Sequence, residues 1–132
     1  MRRRELREQI FKLLFRVEFN SIEDMSEQEQ LFFEDEEAAK DKDAEYVSDK
    51  YHKIQQKLSE IDGQLNEKAQ GWNTNRMSKV DLTILRLAVY EIQYDDTVPT
   101  SVAINEAEEL AKKFGQDASS GFVNGILAKF AD

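Results

Sequence analysis

The sequence predicts an all-α fold, on three observations. One proline and five glycines are all that interrupt 132 residues. Glu, Lys, Leu, Ala and Gln, which lose little on entering a helix, are abundant throughout. The alternation of apolar and polar residues that marks a half-buried strand is nowhere sustained. A chain of this length fits one domain that can bury about two-thirds of its unfolded surface.

The first helix is expected from about Arg2 to Phe19. Leu6, Ile10, Leu13, Leu14 and Val17 recur at helical spacing, and Phe11 and Phe15 widen the stripe. Asn20-Ser21 reads as a stop and as the cap of the next helix. Residues 21–42 are acidic, with a weak apolar set of Ile22, Met25, Leu31, Phe32 and Phe33, and are read as helical. Val47, Tyr51, Ile54, Leu58, Ile61 and Leu65 form a seam spaced 4, 3, 4, 3, 4, with a break expected near Ser59–Gly63.

"GWNTNRMSKVD" reads as a loop into a new helix. Ser78 is placed to cap it, and Asp81 takes the third helical position, where a capping box has its acid. "VDLTILRLAVYEIQY" is apolar on most sides, as a buried central helix should be. Pro99 forbids its continuation. Ala103, Ile104, Ala107, Leu110, Ala111 and Phe114 form the inner face of the next helix, and Gly115 is expected at its C′ position. In the same helix Asn105 and Glu106 are either functional or cross-link helices, with a buried amide that satisfies a helix end as the preferred account. The last helix, from about Ala118, should bury Phe122, Val123, Ile126, Leu127 and Phe130.

Composition excludes much chemistry. Cysteine is absent and histidine occurs once, so neither a thiolate site nor a two-histidine metal site can form. "DKDAEY" at 41–46 resembles a calcium loop only at its start: Tyr46 replaces the glycine at the sixth position and His52 the glutamate at the twelfth. No glycine-rich phosphate loop is present. No catalytic residue, metal or cofactor is expected. The apolar runs are too short to span a membrane. Lys12 and Arg16 interrupt what would be the apolar part of a secretory signal, so a cytoplasmic protein is the simplest expectation.

Charge is distributed unevenly. Residues 1–16 carry Arg2, Arg3, Arg4, Arg7, Lys12 and Arg16 against Glu5 and Glu8, or 6 − 2 = +4, in a chain whose net charge is −9. Residues 18–49 hold thirteen acids against Lys40 and Lys42, or −11. A basic end on an acidic body is suited to phosphate: guanidinium forks match phosphate oxygens, and the rest of the surface repels a nucleic acid. A solubilising charge run is the plain alternative.

"VDLTILRLAVYEI", "VPTSVAINEAEELAKKFG" and "FVNGIL" resemble the C-terminal half of the NusB family of bacterial transcription antitermination factors. "RRRELREQIFKLLF" resembles the arginine-rich first helix of that family, and Trp72-x-x-x-Arg76 also fits. The resemblance implies about seven helices in two packed small bundles, one domain over 1–132 with an N-terminal bundle of about 1–70 and a C-terminal bundle of about 71–132. It implies a non-enzymatic factor that pairs with NusE, a small-subunit ribosomal protein. Together the two bind the boxA RNA of ribosomal RNA leaders and join the RNA polymerase antitermination complex. Carried over residue by residue, it puts RNA contact on Arg3, Arg4 and Arg7, with Lys12 nearby. It adds Phe122 as a stacking residue, though a core role explains Phe122 equally well. Asp81 would face NusE, unless it serves only as a cap. Three rivals stay open: the NusB-like domain that precedes an rRNA cytosine methyltransferase, disfavoured because the chain carries no methyltransferase motif; a helical adaptor for proteins alone; and a homodimer that buries the arginine helix.

Overall fold

The computed structural model describes residues 1–131. Among them are seven α-helices joined by loops and 3-10 turns, with no strand: α1 (Arg3–Phe15), α2 (Met25–Glu34), α3 (Asp41–Gln56), α4 (Leu58–Lys68), α5 (Lys79–Tyr94), α6 (Thr100–Phe114) and α7 (Ser119–Leu127). The fold class is the expected one. By contacts the chain divides into two units, the first running from Met1 to Gln55 and the second beginning at Gln56. No helix among the described residues is long and apolar enough to cross a membrane.

In the first unit, α1 buries Ile10, Phe11, Leu13 and Leu14. It stops four residues short of the expected end, and the chain tightens into a 3-10 turn at Arg16–Glu18. Two side chains account for the stop. Asn20 Nδ2 donates to the Arg16 carbonyl at 2.8 Å, which satisfies one of the orphan acceptors of a helix end. Arg16 donates through NH1 to the Gln28 carbonyl at 3.1 Å and to Gln28 Oε1 at 3.2 Å, with its guanidinium 5.3 Å from the centre of the Phe32 ring.

Residues 21–42 are less helical than their composition suggests. A 3-10 turn at Ile22–Asp24 precedes α2, and 35–40 form a connection rather than a helix. Of the weak apolar set, Met25 and Phe32 are buried, while Ile22 and Leu31 are exposed. The connection is closed by polar bonds. Lys40 Nζ donates to the carbonyls of Phe33 and Asp35 at 2.7 and 2.6 Å, and buried Gln9 accepts the Ala39 amide at 3.0 Å. Residues 41–46 belong to α3 and so form no ion-binding loop. No group of three or more metal-ligating side chains occurs among the described residues.

The helical seam breaks at Lys57, earlier than expected, so Val47, Tyr51 and Ile54 are core residues of α3 and Ile61 and Leu65 of α4. In the second unit α5 packs against α4, α6 and α7. Its buried run from Leu82 to Leu85, continued by Leu87 to Glu91, makes it the central helix. Arg86 on α5 grips Asp62 on α4 with two bonds, and Gln64 meets the Tyr94 hydroxyl at 3.1 Å. Pro99 stands at the N-cap of α6, where its missing amide costs nothing. Ala103, Ala107, Leu110 and Ala111 are buried as expected, with Ile104 and Phe114 half-buried. Asn105 is exposed, so the buried-amide expectation for it does not hold. Its place in the helical period puts it on the outer face of a helix whose inner face is the alanine stripe.

Gly115 ends α6 with φ −94° and ψ −167°, which is extended backbone and not the left-handed cap expected from its residue type. Space is the reason for glycine here. A Cβ at Gly115 would lie 2.6 Å from Cβ and Oγ of Ser119 and 2.8 Å from the Ala111 carbonyl oxygen. The close approach lets Ser119 Oγ accept the Gln116 amide at 3.0 Å and so start α7.

Candidate nucleic-acid interface

The basic end begins with the helix start. The Arg2 amide donates to the Glu5 carboxylate at 3.1 Å. Glu5 thus occupies the acid position of a capping box in the first turn, where a negative charge suits the helix dipole. The glutamate that interrupts the arginine run is there to begin the helix. The N-terminal ammonium of Met1 lies 2.8 Å from Asp43 Oδ2 on α3, and this carboxylate raises the ammonium's pKa above its ordinary value.

Arg3 and Arg4 are exposed and Arg7 is half-buried. At about 100° per residue, Arg3 and Arg7 lie about 40° apart on α1, with Arg4 about 60° beyond Arg7. These three share one side of the first two turns. Lys12, also exposed, is about 140° around the helix from Arg7 and about 40° from Glu8, so it lies with the glutamates. Arg16 is held on Gln28 and Phe32. The basic surface of α1 is therefore a compact arginine edge rather than a stripe along the helix.

The other two expected residues lie in the second unit. Ser78 Oγ accepts the Asp81 amide at 3.1 Å and caps α5 as expected. That bond uses the backbone of Asp81. Its carboxylate Oδ1 is buried and has no hydrogen-bond partner, so the cap does not account for the side chain. A buried carboxylate oxygen without a donor is costly.

Phe122 projects from α7, half-buried, against Trp72, with ring centroids 5.2 Å apart and planes at 73°. The core positions of that helix are Val123, Ile126 and Leu127 instead. Only the family resemblance marks Trp72 in the sequence, yet at 49% exposure it is the most open large aromatic side chain of the second unit. Gly71, at φ 81°, makes the turn that presents it. The turn is held by the Trp72 amide on the Ala69 carbonyl at 2.9 Å and the Thr74 amide on Asn66 Oδ1 at 2.8 Å. The sequence signal for such a turn is a Gly-Trp step inside a polar loop.

The NusB family model matches residues 4–132. The transcription antitermination protein NusB of Lachnoclostridium phytofermentans is 52% identical over 132 residues, covering 100% of both chains. Among solved structures, T. maritima NusB superposes with a TM-score of 0.85 at 40% identity, covering 99% of this chain and 91% of that one. A crystal structure of antitermination factors NusB and NusE in complex with dsRNA contains a chain of the same fold, with a TM-score of 0.84 at 21% identity over 97% of this chain and 94% of that one. On the full-length family match and the identity of its relatives, the chain belongs to the NusB family.

Proposed function

We propose that this chain is a transcription antitermination factor that binds boxA-type RNA of ribosomal RNA leaders together with NusE. The observation that carries the reading is the NusB family match over residues 4–132. The partner assignment is supported by a fold neighbour crystallised with NusE and dsRNA. The factor is not an enzyme; it acts by holding RNA and protein together in the RNA polymerase antitermination complex, in the cytoplasm. Arg3, Arg4 and Arg7 supply phosphate contacts, which fix affinity and register without reading sequence. Lys12 adds long-range attraction from the far side of α1. Phe122 contributes at the aromatic pair. Asp81, half-buried at the start of α5, faces a cation of NusE.

The test is a titration of fluorescently labelled single-stranded boxA RNA with this protein, alone and with NusE. If RNA and NusE bind cooperatively, each raises the other's affinity by the same factor, with an ordinary coupling of about 1–3 kcal/mol. Absence of RNA binding under both conditions would leave a protein adaptor.

A further inference from the structure

Trp72 is a large apolar surface held open to solvent on a structured turn. A half-exposed tryptophan, with an apolar body and a polar tip, is of the type enriched at contact sites. Two features fix its orientation. Gly71 adopts a left-handed conformation, φ 81°, that turns the chain just before it, and the edge-to-face contact with Phe122 holds the indole. The neighbouring residues are chemically consistent with one kind of ligand. Asn73, Asn75 and Arg76 are all exposed. A 3-10 turn at Thr74–Arg76, closed by the Arg76 amide on the Asn73 carbonyl at 3.0 Å, keeps them on the one short turn that follows Trp72.

An aromatic face, two amide side chains and a guanidinium are the groups that hold an unpaired nucleotide. The ring stacks on the base, amides hydrogen-bond to base edges, and arginine takes the phosphate. The local charge favours this ligand: residues 66–80 hold Lys68, Arg76 and Lys79 against Glu67, or 3 − 1 = +2, in a chain of net −9. We infer that the Gly71–Arg76 turn is a base-stacking platform for one unpaired RNA nucleotide, with Trp72 as the stacking residue and Phe122 as its support. The inference rests on the RNA-binding reading above and adds to it a residue that determines affinity through the base rather than the phosphate.

Trp72 is the only tryptophan of the chain, so its fluorescence reports on this turn alone. Titrating the protein–NusE complex with single-stranded boxA RNA is expected to quench that emission saturably, with the same midpoint as a label on the RNA (NusE tryptophans replaced by phenylalanine). Trp72→Ala should weaken binding about tenfold to a hundredfold, the range for one stacked base, and Trp72→Phe should recover most of the loss. Arg76→Gln should flatten the slope of log K against log salt by about 0.7. Labelled RNA that binds without changing Trp72 emission would overturn the platform and leave the RNA-binding reading intact. Quenching by NusE alone, with no further change on adding RNA, would make the turn a protein-docking surface and also overturn the platform. If no RNA binds at all, both readings fail. The quenching measurement needs no substitution and so does not depend on how the variants fold.

Discussion

Arg86 and Asp62 form a two-pronged clamp between α5 and α4, with Nε on Oδ1 at 2.9 Å and NH2 on Oδ2 at 2.8 Å. The side chains are 11% and 26% exposed, so water competes only partly for either charge. Asp62→Ala is expected to lower the unfolding free energy by about 2 kcal/mol, the scale of hydrogen bonds to charged groups. Arg86→Lys should lose most of that amount, since an ammonium cannot reproduce the fork. Urea denaturation of the two variants checks both; a lysine variant as stable as the parent would mean that a single contact is enough.

The crowding at Gly115 makes a second expectation. Gly115→Ala would put a methyl group 2.6 Å from Ser119 and 2.8 Å from a backbone oxygen, so the α6–α7 junction must shift. The cost of such overpacking is about 1–3 kcal/mol. A helix interior would gain from the same substitution, so thermal melting that shows Gly115→Ala more stable than the parent would refute the steric account.

Tyr51 is fully buried and its hydroxyl has no hydrogen-bond partner. Burial first, and the charge of Glu29 second, push its pKa up to about 12 from 10.0. The unfolded chain therefore releases this proton first as pH rises. The stability that the neutral phenol contributes is present in full below about pH 10 and is lost between about pH 10 and the folded value of about 12. Tyr51→Phe should be near neutral or stabilising at pH 7, since it removes an unsatisfied buried group, and should reduce the alkaline loss. Denaturant midpoints measured from about pH 8 to about pH 11.5 decide the matter: an alkaline loss of equal size in both proteins would assign it elsewhere.

The arginine edge of α1 predicts a salt effect. Replacing Arg3, Arg4 and Arg7 with Gln should flatten the dependence of log K on log salt by about 2, at about 0.7 per phosphate on a single strand. Binding should weaken for boxA and for scrambled RNA alike, because phosphate contacts carry no sequence information. Glutamine keeps helix propensity, so circular dichroism should be unchanged. Lys12→Gln, on the glutamate side of the helix, should have a smaller effect than any one of the three. An unchanged salt slope in the folded triple variant would reduce the arginines to a solubilising run.

Asp81 separates a cap from a contact. Asp81→Asn keeps the amide bond to Ser78 and should leave the helix start intact, whereas Asp81→Lys should weaken NusE binding through repulsion at the interface. Ser78→Ala should cost about 1 kcal/mol of stability without a specific effect on NusE affinity. Calorimetric titration with NusE and a thermal melt of each variant distinguish the two. A lysine variant that melts early and binds NusE normally would make Asp81 part of the helix start only.

The sequence by itself determined the helices whose signals are local. Periodic apolar residues, the Ser78 cap and Pro99 specify α5 and α6 within a few residues, because helix period, capping and proline geometry act over one or two turns. The charge asymmetry and the family's sequence blocks likewise need no coordinates. Tertiary structure decided the rest. α1 ends at Phe15 because Arg16 and Asn20 find partners, one of them Gln28, twelve residues away. Gly115 is required by a serine four residues on, not by its own dihedral angles. Lys12 belongs with Glu8 once the helix fixes its azimuth, although along the chain it comes after the arginines. Trp72 reads the same in sequence whether buried or open, and only the folded arrangement sets it edge-to-face against Phe122 with about half of its surface in solvent, at 49% exposure. Burial and azimuth are set by which surfaces meet, and that depends on residues far apart in the chain.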